Sequence, residues 1–381
     1  MEPFVFSIKD SYRAAVEAQT GGRNTVIYDD QGNPSVMYRL PKFNLDDVVD
    51  TWPNEPHPAF IVNGVVKDEL FISKYQNIIK NSRAYSIPNQ DPETYVDFDE
   101  ARAASFAKGT GWHLMTNAEW AAIALWCRKN GYEPRGNNDY GQDISAPHEK
   151  GVRTYGSGYR VATGSGPAAW SHDGTLAGIY DLNGNVREWA DGLKLVDGKI
   201  WIHDDNDFQT GNNADDNSGW IDTATYVDVN SGGDTLQLDN VIDNVMGEAS
   251  SEYISHEFEA MVADTEFTVP DVLKHLALFP VGTDYNGDYI YARNYGERLS
   301  NRGGNWGYGS KAGVFQLNLD RGRSYSYSSL GFRSALVHWP EVDDLLGYHP
   351  VLWNKGAFFP AEIPFGPSSK KYKLPGIQLV A

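Results

Sequence analysis

Across Val314 to Leu319 apolar and polar residues alternate, with Phe315, Leu317 and Leu319 set against Gln316, Asn318 and Asp320. A strand turns successive side chains to opposite faces, so this period of two predicts a strand with the apolar three buried and the polar three exposed. Residues suited to a rigid frame surround it: the Arg302-Gly303-Gly304 turn, Trp306, and the closing Gly331-Phe332-Arg333. Between them fall residues suited to contact: Tyr308, Gln316, Asn318, Asp320, Arg321, Tyr325, Tyr327 and Ser328. The stretch from Leu299 to Leu336 therefore reads as a binding surface on a scaffold.

The same patterning predicts the elements upstream. Asn24 to Leu40 alternates on either side of the turn signal Asp29-Asp30-Gln31-Gly32-Asn33-Pro34, which reads as a hairpin inside an N-terminal extension, residues 1–58. AFIVNG and ELFISKYQNII read as two strands joined by Gly64 to Asp68. Asp97 precedes a helical run, Phe98 to Lys108, and Thr116 or Asn117 caps a second, Ala118 to Asn130, with Glu119 in its first turn and Gly131 beyond its end. Gly136 to Ala168 has no periodicity and reads as ordered loop. Residues 191–266 form an acidic insert with 18 Asp and Glu against two Lys, in which Lys199 to His203 and Thr225 to Val229 read as strands. A short helix, Val272 to Leu278, follows Pro270. The main domain is then 59–340, followed by a tail, 341–381, that wraps the domain or contacts a neighbour.

Composition narrows the function. Hydrophobic residues at 41% and charged residues at 22% describe a globular chain with a sizeable core. The 38 glycines beside 22 tyrosines and 11 tryptophans point to irregular segments pinned by large flat side chains. A net charge of −19 argues against nucleic acid or an anionic membrane as partner. No apolar run approaches the roughly 18 residues of a membrane span, and MEPFVFSIKD lacks the pattern of a secretory signal. Cys127 is alone, which removes an intrachain disulfide and a thiolate metal cluster.

Four motifs in order, FISKYQN, WHLMTNAEWAAIALW, YDLNGNVREW, and RGGNW with its later LGFR, resemble the formylglycine-generating-enzyme type of C-type lectin fold, an α+β architecture. The resemblance spans about Glu69 to Leu336. VPDVLKHLALFPVG and the AGVF to LGFR ending are similar to the variable proteins of diversity-generating retroelements, where mutagenic reverse transcription changes chosen codons of a C-terminal segment on a fixed scaffold. In that family the varied codons are mostly adenine-rich, and Gly307, Tyr308, Asn318, Asp320, Arg321, Tyr325, Tyr327, Ser328 and Ser329 belong to the set such codons yield. Lys311 and Gln316 do not follow so simply and stand as surface contacts. The resemblance implies a non-enzymatic protein binding a cell-surface protein or glycan receptor, from a phage (virion) tail tip or bacterial surface, and a homo-oligomer is compatible with that setting. Tyrosine among small polar residues suits such recognition, giving contact area with few rotors to freeze.

The resemblance also suggests a structural calcium, with Asp181, Glu188 and the carbonyls of Gly184 and Val186 as ligands; oxygen donors in a turn suit a hard cation. Equally, Asn185 closes the turn and Glu188 pairs with an arginine. No other cofactor is expected. Asp284-Asn286-Asp288 has the opening spacing of a calcium loop without its closing Glu and reads as a turn. The rival classes are a sulfatase-modifying-type oxidase, degenerate or active, and a structural adaptor. The oxidase needs paired thiolates or clustered histidines, whereas 302–333 has no cysteine and the nine histidines are scattered, His113 and His275 reading as structural.

Overall fold

Capping chemistry sets two helices of the scaffold. Asp97 and Glu100 exchange hydrogen bonds in a capping box ahead of Phe98–Phe106, and Thr116 and Glu119 do the same ahead of Asn117–Lys129. The second helix is buried all round except in its last turn, and its buried residues include Trp120, Ile123, Leu125 and Cys127. The computed structural model describes residues 10–154, 158–214, 216–249 and 251–338, and the backbone of two short strands beyond them.

Two sheets dominate the first unit, Met1–Leu336, which is α+β. The smaller runs in the order Asn24–Tyr28, Pro34–Pro41, Glu69–Ser73, Ser334–Leu336, Trp112–Leu114, all antiparallel. The larger has ten strands. At its centre, Glu297–Arg302 lies between Leu317–Arg321 and the long strand Arg187–Val196, and Leu330–Phe332 pairs parallel with Arg187–Trp189 at the start of that strand. Between the sheets, Phe98, Leu114, Trp189, Leu299, Leu330 and Phe332 form one buried cluster.

Both the N-terminal hairpin and the acidic insert join the sheets of the first unit. The hairpin assigned to an N-terminal extension, residues 1–58, is part of the smaller sheet, because Pro34–Pro41 pairs with Glu69–Ser73. The two strands read from AFIVNG and ELFISKYQNII do not pair with each other: Ile61–Val62 pairs with Val65–Val66, and Ile78–Lys80 with Arg83–Tyr85. The acidic insert, 191–266, likewise widens the larger sheet. Lys199–Ile202 pairs with Arg187–Val196, and Ile221–Val229 and Leu236–Asp239 follow outward. Its carboxylates fall mostly on loops and strand edges, so acidity and sheet membership coexist. A helix, Ser11–Thr20, was not foreseen, and buries none of its residues fully.

The second unit, Val337–Ala381, contains one antiparallel pair, Pro364–Phe365 with Lys370–Lys371. The expectation that the tail wraps the domain or meets a neighbour lies outside the described residues.

Candidate ligand-binding face

The frame residues are fixed by contacts that few other side chains could make. Arg302 is fully buried and donates to Asn117 Oδ1 at 2.6 and 3.0 Å and to the Ala277 carbonyl at 3.1 Å, just past the short helix Asp271–His275. Burial without a carboxylate partner pulls its pKa down to about 9. Gly304 has φ +73°, and a Cβ there would lie 2.6 Å from that of Ala312. At Gly331 a Cβ would meet the Glu93 carbonyl at 2.4 Å. Trp306 differs from this pattern in being half-exposed, stacked on Tyr159.

The strand between these anchors begins later than its alternation suggested, at Leu317–Arg321, and the expectation that one face is exposed is overturned. Gln316 is 0%, Asn318 1% and Asp320 6% exposed, as deeply buried as Phe315, Leu317 and Leu319. The reason is coverage from both sides. Trp120 of the longer helix donates to the Val314 carbonyl at 2.7 Å, while the loop after Gly304 folds Tyr308 over the polar side, its hydroxyl 3.5 Å from Asn318 Nδ2. Alternation reports two chemistries on two faces, and here the polar face is buried by bonding along itself. Gln316 accepts from the Gly304 amide at 2.7 Å and donates to Asn318 Oδ1. Asn318 in turn donates to Asp320 at 3.3 Å, and Arg321 pairs with Asp320 at 3.1 Å. Gln316 therefore holds the frame turn. Ser329 is also buried, at 3%, near Asn305.

The accessible part of the face is aromatic and small-polar. Gly307, Ser310, Lys311, Ser324 and Ser326 are exposed, Tyr327 is 52% exposed, and Tyr308, Arg321, Tyr325 and Ser328 are half-buried. Tyr325 and Tyr327 stack with centroids 6.2 Å apart, Arg321 lies 4.7 Å over the Tyr325 ring, and Tyr308 packs against Tyr291. Sequence reasoning missed Tyr291, which comes from outside the 299–336 stretch. It also missed Arg187, whose guanidinium lies 5.9 Å from the ring centroids of both Tyr308 and Tyr325. The signal was present in NVREW: alternation sets Arg187 opposite Glu188, so the two cannot share a role.

Behind the face, Asp288 Oδ2 accepts from the Phe315 amide at 2.7 Å and anchors the strand's approach. Burial, with Glu133 and Glu259 nearby, pushes its carboxyl up to about 8 against the Phe315 hydrogen bond. The folded carboxyl thus keeps its proton to about pH 8, while an unfolded one loses it near the ordinary value of about 3.9. This contribution to stability is complete below that lower value and is lost as pH rises through 8. Asp288→Asn should melt several degrees above wild type at pH 8 and converge with it only near pH 4, read from melting curves at a series of pH values. Equal slopes for the two proteins would rule out a proton on Asp288.

The turn suggested for calcium shows a different set of bonds. Both Glu188 oxygens are taken by Arg333, at 2.6 and 2.7 Å. The carbonyls of Asp181, Gly184 and Val186 and Glu188 Oε1 converge on one atom, Gln76 Nε2, at 3.2, 3.5, 2.8 and 3.0 Å. Gln76 is oriented by Asn185, which donates to its Oε1 at 2.9 Å. One Asp181 oxygen, Oδ2, accepts from the Gly164 amide, the other is buried without a partner among the described residues, and burial raises the carboxyl to about 6. The point on which these oxygens converge is occupied here by the Gln76 amide, whose two hydrogens are shared among four acceptors. Glu188 pairs with an arginine and Asn185 closes the turn through Gln76.

Among the described residues the groups an oxidase would need are dispersed. Cys127 is fully buried with its thiol pushed up by burial, directed at the His172 carbonyl. His113 is held between the Gly111 carbonyl and Glu119, and His275 packs on Trp52. Asp228, Asp239 and Asp243 bring ligand atoms within 4.8 Å of one another, but they lie at the far side of the acidic insert. No helix among the described residues is long and apolar enough to cross a membrane.

No family model matches the chain, and no curated protein matches it. Three solved structures are similar over 82% of this chain. PvdO from Pseudomonas aeruginosa is 15% identical, covered over 97% of its length, with a TM-score of 0.34. Treponema denticola variable protein 1 is 12% identical over 98% of its length, with a TM-score of 0.29. The U1 variant of a major tropism determinant is 12% identical over 71% of its length, also with a TM-score of 0.29. Likeness at this level leaves the site to be read from its own residues.

Proposed function

We propose that the chain is a non-enzymatic binding protein of the variable-protein type, on a C-type lectin fold of the formylglycine-generating-enzyme kind, and that it recognises a protein or glycan receptor on a cell surface. One observation carries the reading. Within 299–336 the residues divide into two classes by environment: Arg302, Gly303, Gly304, Gly331, Phe332 and Arg333 are buried, while Gly307, Tyr308, Arg321, Tyr325, Tyr327 and Ser328 reach solvent beside them. A rigid frame carrying tyrosines and serines lowers the ordering cost of binding. A phage tail tip or bacterial surface is the setting that suits such a face.

The combined change Tyr308→Ala, Tyr325→Ala and Tyr327→Ala tests the proposal, with binding to a panel of intact bacterial cells as the assay. Tyrosines at the centre of an interface cost about 2 kcal/mol or more each when truncated, so binding should fall by roughly a hundredfold or more. The protein should remain folded, with a melting temperature only a few degrees lower. Undiminished cell binding would sink the assignment of this face, and loss of folding would make the tyrosines structural.

A further inference from the structure

Resting on the reading of this face as the binding surface, we propose that Arg187 and Asn301 form a fixed subsite for a carboxylate, lying beneath the tyrosine layer and independent of which residues stand in it. Both belong to framework strands outside 305–329, Arg187–Val196 and Glu297–Arg302. Asn301 is directly opposite Asn318 on one side and Trp189 on the other, so it faces the same way as Asn318, and Arg187, two residues from Trp189, is its diagonal neighbour.

The two side chains share an unusual property. Arg187 is 4% and Asn301 0% exposed, yet Arg187 Nε and both polar ends of the Asn301 amide lack a hydrogen-bond partner among the described residues. Buried polar groups are nearly always bonded, so adjoining unmatched groups on one face hold bonding capacity in reserve for a ligand. The neighbouring acid, Asp320, takes Arg321 and Asn318, and with the Tyr325 hydroxyl it also acts on the Arg187 guanidinium, while Arg187 Nε keeps no bond. The Tyr308 and Tyr325 rings over the guanidinium are half-buried, so it lies one side chain's depth below solvent.

The unmatched atoms define the ligand. Arg187 Nε and Asn301 Nδ2 are donors, and only the arginine is charged, so two coplanar acceptors sharing a negative charge fit them. Asn301 Oδ1 is an acceptor and takes a donor beside that anion. A carboxylate with an adjacent hydroxyl supplies all three. In a chain of net charge −19 an anion finds little long-range attraction, so its recognition must come from such a local, low-dielectric contact.

Glycolate is the smallest probe with this pattern, and glycolamide is its neutral counterpart. Titrated into the full chain carrying isotope-labelled arginine at constant ionic strength, glycolate should shift the Arg187 Nε–H resonance saturably, whereas glycolamide should not. Arg187→Gln should weaken glycolate binding, measured by calorimetry, by roughly thirtyfold or more, as expected for truncating one side of a buried charged contact. Asn301→Asp, nearly isosteric but negative, should abolish it even if Arg187→Gln proves poorly folded. Equal responses to glycolate and glycolamide, or unchanged affinity in Asn301→Asp, would overturn the proposal. The titration needs no receptor. Failure here with cell binding still lost in the triple tyrosine variant removes only the subsite, whereas glycolate binding with tyrosine-independent cell binding removes only the reading of the face.

Discussion

Arg333→Met should destabilise the protein by about 3–5 kcal/mol, the usual consequence of leaving one member of a buried ion pair without its partner. Arg333 occupies the single residue between Leu330–Phe332, which pairs in the larger sheet, and Ser334–Leu336, which pairs in the smaller. Its guanidinium bonds both Glu188 oxygens, the Ser73 carbonyl at 2.8 Å and the Tyr180 carbonyl at 3.0 Å. The side chain therefore joins two sheets and the calcium-like turn through one planar group, which no lysine could match. Urea denaturation at neutral pH measures the loss. Adding Glu188→Met should recover much of it by removing the stranded carboxylate. A loss below about 1 kcal/mol for the single change would mean that the sheets are held together elsewhere.

Gln76→Glu should make folding depend on calcium, while the wild-type melting temperature stays unmoved by the ion. The substitution places a carboxylate among three carbonyls and Glu188, in a site where Gln76 now donates. Without a cation the added charge is surrounded by oxygens, and a penalty of several kcal/mol follows. With calcium the same oxygens become five or six ligands at one point, the lower end of what that ion accepts. At a hundred times its dissociation constant, the ion would return about 2.7 kcal/mol. Melting curves with chelator and with millimolar calcium decide the matter. A calcium-induced rise in the wild type would show that Gln76 yields its place to the ion, and a variant indifferent to calcium would refute the proposed geometry.

The parts of this fold that were legible in the sequence are those fixed by local chemistry. Asp97 with Glu100 and Thr116 with Glu119 announce helix starts because the bonds they make lie within one turn. The Arg302-Gly303-Gly304 and Gly331-Phe332-Arg333 groups could be read as frame because a glycine beside a large or charged residue marks close backbone approach. The burial of Gln316, Asn318 and Asp320 could not be read, since it depends on Tyr308 folding back from another loop. Arg187 and Asn301 were hidden for the same reason. Their significance is a missing partner, and a missing partner exists only in three dimensions. The pairing of Glu188 was open between a cation and an arginine until Arg333, 145 residues away, was placed beside it.

The chain of bonds from Gln316 through Asn318 to Asp320 and Arg321 bears on how such a face could change over generations. Each side chain supplies what the next one needs, so replacing one leaves a neighbour buried and unsatisfied. Positions 325, 327 and 328, which reach solvent, should be alterable singly. Positions 318 and 320 are epistatic: a new residue at one is tolerated only with a matching residue at the other. A repertoire produced codon by codon would then hold far fewer folded members than the product of its codon choices. Surviving sequences should show correlated substitutions at 318 and 320 and independent ones on the tyrosine rim.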